Sequence, residues 1–234
     1  SMSAGPGRPI DGAARRCPRH RPHGDRPTPT RWSVARGVVP VAESSGPADA
    51  VLMSERALVQ LATRQHGLVT TQQAGQLGFD RGAVTSAVAK GRWRRAGIGV
   101  LALGATPATL HQRTLAAVLS IGEAWASHST AARVWGWEVR HARVEVIVPG
   151  GRKVERRNVR VHRSTRLDPE DVAIVGGIPV TSPARTLIDL SGRITVDELA
   201  TCLDTALRRR QATIDAVDAM VIATQATYGR RPRA

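Results

Sequence analysis

The chain has 234 residues, enough for one large domain or two small ones, and carries 34 Lys+Arg against 19 Asp+Glu, a formal net charge of +15. That excess suits nucleic acid, and less well an anionic membrane, because basic side chains displace condensed counterions from phosphate. No apolar run reaches the roughly 18 residues of a membrane span and the basic N-terminus lacks a signal-peptide core, so a cytoplasmic protein is expected.

Residues 1–52 include "GPGRPIDGAARRCPRHRPHGDRPTPTR", rich in Pro, Gly and Arg with no apolar period, which predicts a disordered basic leader without a specific function. Met53 stands directly before the first well-formed helix, which leaves open whether the leader belongs to the native protein. From Ser54 the pattern changes. "SERALVQLATRQHG" puts Ala57, Leu58, Leu61 and Ala62 on one helical stripe and stops at Gly67. Thr70 or Thr71 can cap a short second helix that Gly75 and Gly78 end; Asp80 caps a third, with Val84 and Val88 inward and Gly91 as terminator. "WRRAGIGVLAL" then reads as two short strands around Ala96-Gly97. Three helices followed by a hairpin, within residues 53–104, is the order of a winged helix-turn-helix.

A second block spans residues 105–224. "TPATLHQRTLAAVLSIG" reads as a helix with Pro107 in its first turn, and "AWASHSTAARVWGW" as a helix opened by Ser127 or Ser129. "VEVIVPGG" and "NVRVHRS" alternate as strands, joined by a Gly/Lys/Arg turn into an expected hairpin. "DVAIVGGIPVTSPARTLIDLSG" predicts strand, Gly-Gly turn, strand, and a helix opened by Thr181-Ser182 with Pro183 in its first turn. "TVDELATCLDTALRRR" and "TIDAVDAMVIAT" add two helices, and residues 225–234 should fray. The predicted fold class is α/β (α+β): an N-terminal winged helix-turn-helix followed by a small mixed α/β domain.

A helix-turn-helix presents its third element to the major groove. Arg81, Thr85 and Ser86 project from the side opposite Val84 and Val88. Arg81 can bond bidentately to a guanine edge, Thr85 and Ser86 suit bases or phosphate, and Lys90 suits phosphate. Thr70, Thr71, Gln72 and Gln73 can anchor phosphate through hydroxyls, amides and free backbone N–H groups. Arg92, Arg94 and Arg95 flank Trp93 in the wing, where arginines reach the minor groove or backbone while Trp93 packs the wing onto the helices. Of seven basic residues between Met53 and Leu103, five fall in the fifteen from Arg81 to Arg95. Lys90 and Lys153 are the only lysines in the sequence, so part of the arginine excess reads as coding bias. The clustering, more than the total charge, favours DNA over a solvated face used for protein contacts.

Cys17 and Cys202 lie far apart without metal-ligand spacing, so neither a disulfide framework nor a zinc site is indicated. His111, His128, His141 and His162 show no paired ligand spacing, and His162, beside Arg160 and Arg163, suits a structural or phosphate-facing role. Ser127-His128-Ser129 offers a nucleophile and a base on paper. Neighbours in sequence rarely meet in hydrogen-bonding geometry, however, and helix capping explains the serines better. Asp189, Asp197 and Glu198 read as surface charges or salt-bridge partners, and "GGIPV" lacks the glycine pattern of a phosphate loop. No catalytic residue, metal or cofactor is expected.

The order of these pieces resembles the AbiEi-type antitoxins of type IV toxin–antitoxin systems, over about residues 54–210. The matching stretches are "GLVTTQQAGQLGFDRGAVTSAVAKGRWRRAGIGVL", "ASHSTAARVWGW", "VRVHRS" and above all "GIPVTSPARTLIDL"; where the family's wing usually ends Gly-Val-Tyr, this chain has Gly99-Val100-Leu101. The resemblance implies a winged helix that binds and represses the system's own promoter, through Arg81, Thr85, Ser86, Lys90 and Arg92–Arg95. It also implies a C-terminal α/β domain that supports repression and counters a partner nucleotidyltransferase toxin, with no toxin-facing residue marked. The alternative is a DNA-targeting module related to very-short-patch-repair-like endonucleases but lacking the nuclease domain. A protein-interaction scaffold with a basic surface is a third reading, and monomer and dimer both remain open.

Overall fold

A computed structural model describes residues 47–104, 108–140, 143–150 and 153–228. The expectations for residues 1–46, Cys17, Pro107, His141 and residues 229–234 fall outside them. The first helix, α1 (Pro47–Arg64), starts upstream of the expected boundary at residues 52–53. The reason is local: Pro47 has the φ of a first helical position, and Ala48 and Ala50 are strong helix formers. Leu58 and Ala62 are buried on its inner face, as the stripe predicts.

A three-residue strand that the sequence did not announce, β1 (Leu68–Thr70), follows. It is too short to show a period. Helices α2 (Thr71–Gln76) and α3 (Arg81–Ala89) come next, then the wing strands β2 (Trp93–Gly97) and β3 (Val100–Leu103). The sheet order β1-β3-β2, all antiparallel, closes a winged helix-turn-helix. Its core is Leu58, Val69, Ala74, Val84 and Leu101, with Trp93 edge-on to Phe79 at 5.4 Å.

The wing turns two residues later than expected, at Ile98-Gly99, where Gly99 has φ 68. Gly97 serves another purpose. It sits at a bulge, and a Cβ there would lie 3.2 Å from Ser120 Cβ and 3.4 Å from Ala116 O of α4 (Leu110–Ile121). Gly97→Val should therefore pry the wing from α4 and destabilise the chain by about 1–3 kcal/mol. A chemical denaturation midpoint unchanged by that substitution would show that α4 yields freely at this contact.

Thr109 opens α4, its hydroxyl accepting from Gln112 N–H at 3.1 Å. The helix lies under both blocks: Leu68, Val100 and Ala102 of the wing sheet share one core with Leu115, Ala116, Ala126, Ile178 and Val180. The change of architecture near residue 104 is thus no gap in the packing.

Beyond α4 come β4 (Trp125–Ala126), α5 (His128–Val134), β5 (Val144–Pro149), β6 (Val159–Ser164), β7 (Val172–Val175) and β8 (Ile178–Thr181). The five strands order as β6-β5-β4-β8-β7. The β7–β8 hairpin turns at Gly176-Gly177 as expected, with φ 54 and 79. The expected β5–β6 hairpin is wrong: the strands are parallel, Val144 pairing with Val159 and Pro149 with Ser164. Gly150 looks like a hairpin turn, but residues 150–158 can span about 30 Å when extended. A six-residue strand is only about 20 Å long, so the chain can return to its start without a helix. This pairing sets Val144, Val146, Val159 and Val161 against α4 and leaves Glu145, Ile147, Arg160 and His162 on the other face.

Three helices complete the chain: α6 (Pro183–Ser191), α7 (Val196–Arg208) and α8 (Ile214–Tyr228). Ser182 and Thr195 cap α6 and α7, the latter in a reciprocal box with Glu198. Leu187, Leu190, Cys202 and Ala206 pack around Trp137, whose indole N–H donates to Gln211 Oε1 at 2.7 Å. Cys202 is a buried free thiol, raised in pKa by that burial. No helix among the described residues is long and apolar enough to cross a membrane.

Candidate nucleic-acid interface

The turn into α2 is fastened from within. Thr70 Oγ1 accepts Gln73 N–H at 3.1 Å, and Gln73 Oε1 accepts Thr70 N–H at 2.8 Å. The Gln73 amide also pairs reciprocally with the buried Gln65 amide at 3.2 Å. The structure therefore gives Thr70 and Gln73 to capping, a box that a Thr followed three residues later by Gln encodes. Thr71 and Gln72 stay exposed at the helix start.

Asp80 caps α3, Oδ1 accepting Ala83 N–H at 2.7 Å. Val84 and Ala87 are buried, Val88 half-buried, and Arg81, Thr85 and Lys90 exposed. Ser86 is half-buried, at the edge of the outer face. The Thr85 hydroxyl donates to Arg81 O at 2.8 Å, so it presents a methyl group and lone pairs, and no free proton, to whatever α3 meets.

The wing divides its arginines by strand alternation. Trp93 faces the helices and Arg94 the opposite side, where its guanidinium donates to Gln112 Oε1 of α4. Gln112 Nε2 in turn donates to His66 O at 2.7 Å. The structure thus places Arg94 in a half-buried tie between wing and body. Arg95 is exposed on the Trp93 side; Arg92 is exposed too, with a loose 3.9 Å contact to Glu55. Arg81, Thr85, Lys90, Arg92, Arg95, Thr71 and Gln72 are the sequence-predicted residues left exposed.

Residues 56–104 match the family model described as "Transcriptional regulator, AbiEi antitoxin", and residues 116–231 match the "AbiEi antitoxin C-terminal domain". The chain belongs to the AbiEi antitoxin family. AbiEi proteins of this description are transcriptional-regulator antitoxins, and neither matched description is that of an enzyme. Among solved structures, the RV2827C protein from Mycobacterium tuberculosis matches with a TM-score of 0.50 and 15% identity, over 73% of this chain and 71% of that one. At that identity the likeness concerns the fold alone. No curated protein matches the chain.

The AbiEi C-terminal domain holds a polar network that sequence spacing hid. Contrary to expectation, Ser127 and His128 do meet: Ser127 Oγ lies 3.1 Å from His128 Nδ1. His128 adopts φ 50, a left-handed conformation that folds its ring back, and Ser127 makes no capping bond with its side chain. Ser127 is fully buried, which removes it from any substrate. The His128 ring stacks on His162 with centroids 3.7 Å apart, and His162 Nε2 lies 3.4 Å from Glu145 Oε1. Glu145 Oε2 accepts from Ser129 N–H at 3.1 Å and Ser129 O–H at 2.6 Å, doing the capping expected of a serine.

Burial, then the neighbouring His162 and the arginines Arg193 and Arg185, hold the His128 pKa down to about 3. Burial opposes ionisation of Glu145, yet the hydrogen bonds from His162 and Ser129 keep its pKa at about 2. Of the two readings open for Asp189, surface charge or salt-bridge partner, the structure shows the second. Its side chain is 8% exposed and Oδ1 accepts Arg185 Nε at 2.9 Å. Among the described residues, no group of three His, Cys, Asp or Glu side chains is placed to hold a metal ion.

Proposed function

We propose that this chain is a sequence-specific DNA-binding autoregulator, the antitoxin of a type IV toxin–antitoxin system. It represses its own promoter and counters a nucleotidyltransferase toxin, and it does so without catalysis, metal or cofactor. The observation that carries the DNA reading is the outer face of α3, where Arg81 and Thr85 stand exposed opposite a buried Val84-Ala87 face, with Lys90, Arg92 and Arg95 close in sequence. Arg81 reads a guanine edge and the Thr85 methyl a thymine methyl. Lys90, Arg92 and Arg95 neutralise phosphate or reach the minor groove, and Thr71 and Gln72 hold backbone at the start of α2. Regulator-antitoxin membership supports the toxin part of the reading.

Fluorescence anisotropy with the duplex upstream of its own gene tests this. Arg81→Ala should weaken that duplex by about 1–3 kcal/mol while leaving random duplex nearly unchanged. Lys90→Ala and Arg95→Ala should weaken both and each reduce the salt slope by about 1. Equal wild-type affinity for promoter and random duplex would end the autoregulator reading. Toxicity of a neighbouring nucleotidyltransferase that persists on co-expression would end the antitoxin one.

A further inference from the structure

Helix α1 buries Leu58 and Ala62 on its inner side, and the opposite side of such a helix is ordinarily polar throughout. Here it is not. Leu52 and Val59, seven residues and two turns apart, lie on one line there and are 52% and 56% exposed. Thr63 extends the line by one turn, and its hydroxyl donates to Val59 O at 2.8 Å, so what it offers a neighbour is chiefly its methyl group.

Two exposed apolar side chains mean little by themselves. The independent observation is the pair of charges between them. At 3.6 residues per turn, Glu55 and Arg56 flank the Leu52–Val59 line by about 50° on opposite sides, and they differ in height by only about 1.5 Å. Both are exposed. Arg56 forms no ion pair among the described residues, and Glu55 has only the loose 3.9 Å contact to the exposed Arg92. An apolar seam with an acid on one flank and a base on the other is complementary to a copy of itself.

Two such helices side by side, related by a two-fold axis parallel to them, set Leu52 on Leu52 and Val59 on Val59. The same axis brings each flank against the opposite flank of its neighbour, so Glu55 meets Arg56 of the second copy and Arg56 meets its Glu55. Run antiparallel, like flanks would meet, Glu55 on Glu55 and Arg56 on Arg56. We propose that α1 is a homodimer interface, a parallel helix pair joining two copies of this chain. The core of each winged helix lies behind its own α1, on the far side from the seam. Two turns of helix bury less than a standard interface, so the dimer is weak, with a Kd on the order of 10–100 µM. The seam uses none of the residues assigned to DNA, and the proposal does not depend on that reading.

Sedimentation equilibrium of the whole chain from about 5 to 500 µM reads the association directly, in about 0.15 M salt to screen the +15 charge of each copy. Wild type should show a monomer–dimer equilibrium. Val59→Lys, which sets two ammonium groups face to face in the seam, should sediment as a monomer throughout and keep the wild-type thermal midpoint. Arg56→Glu alone and Glu55→Arg alone should each weaken dimerisation about tenfold or more, since each puts like charges on both flanks. Mixed in equal amounts, these two variants should recover association, because the acidic flanks of one then face the basic flanks of the other. A merely structural role for either residue gives no such rescue. The proposal is overturned if wild type stays monomeric at about 500 µM, in which case another occupant covers the face. It is equally overturned if Val59→Lys dimerises like wild type, or if the mixture associates no better than its components.

Discussion

Arg185→Met should remove about 3–5 kcal/mol of stability at neutral pH, the cost of leaving buried carboxylates without their cation. Arg185 is the second residue after the Pro that opens α6, in "SPARTLIDL", and its guanidinium reaches four partners. Nε donates to Asp189 at 2.9 Å, Nη1 to Asp171 at 3.3 Å and to Arg166 O at 3.4 Å, and Nη2 to Ser164 Oγ at 3.3 Å. The side chains of Arg185, Asp171 and Asp189 are 14%, 8% and 8% exposed, so water cannot replace the missing cation. Burial already pushes both carboxyl pKa values up; the Asp168 N–H and then Arg185 pull Asp171 back, and Arg185 does so for Asp189. Without it they rise further. A carboxyl whose folded pKa is raised favours the folded state at low pH and loses that support as pH rises. The gap between Arg185→Met and wild type should therefore narrow as the pH is lowered toward 4. Arg185→Lys should fall between the two, since one ammonium cannot reach all four partners. Urea denaturation at pH 7 and near pH 4.5 measures this. Arg208→Ala is the control: its pair with Asp204 has side chains 68% and 64% exposed, and its loss should cost under about 0.5 kcal/mol. If Arg185→Met costs no more than that control, the buried hub is not what fixes this end of the sheet.

A network of this kind also marks how far the sequence could be read. Helices α2, α3, α6 and α7 were legible because their signals are local: a Thr, Asp or Ser cap, a Pro in the first turn, an apolar stripe. The Gly176-Gly177 hairpin was legible for the same reason. What failed was long-range. Whether β5 and β6 run parallel or antiparallel depends on where β4 and β8 sit, and a nine-residue connection allows both. That one pairing decides which residues stand beside Glu145, so His162 could not be placed. His128 and Ser127 meet through a positive φ that is rare outside glycine and carries no sequence signature. Asp189 could be read as a surface charge or a salt-bridge partner; the i,i+4 spacing to Arg185 fits the second, but its burial beside Asp171, from another segment, has no local signal.

The interface residues divide along the same line. Arg81, Thr85 and Lys90 follow from α3's own period, whereas Arg94 could be set apart from Arg92 and Arg95 only once α4 was seen behind the wing. Thr70 is open to both roles, cap and phosphate donor, and the sequence reading assigns Gln73 to phosphate; their spacing encodes a capping box that uses those same atoms. The charge cluster from Arg81 to Arg95 confines the candidate interface to one helix and one hairpin; tertiary contacts then engage individual members, Arg94 among them, elsewhere.

The stacked histidines carry the second large effect, an acid sensitivity. The unfolded chain takes up a proton on His128 near pH 6.5, whereas the folded protein resists it down to about 3. Protons therefore favour the unfolded chain. Stability tied to the neutral ring is complete above pH 6.5 and falls progressively as pH drops toward 3. At about 1.4 kcal/mol per pH unit, the loss between pH 6.5 and 4.5 should be roughly 2–3 kcal/mol. The groups facing the ring do not relieve it: His162 is stacked on it, Arg193 and Arg185 add like charge, and Glu145 stays ionised to about pH 2 and so does not change across the window. Asp171 and Asp189, raised by burial, favour the folded state as pH falls, but they do so in wild type and His128 variant alike. His111, lowered by its own burial and by His66, acts on wild type and variant alike. His128→Asn isolates the effect, because Asn tolerates the left-handed backbone and cannot titrate. Whatever that variant loses at pH 7 through the missing stack, its stability should fall by less than half as much as wild type between pH 6.5 and 4.5. Chemical denaturation at four or five pH values reads this directly. Parallel curves for the two proteins would mean that His128 accepts its proton in the folded state as readily as in the unfolded one, and that the stack is not protected from acid.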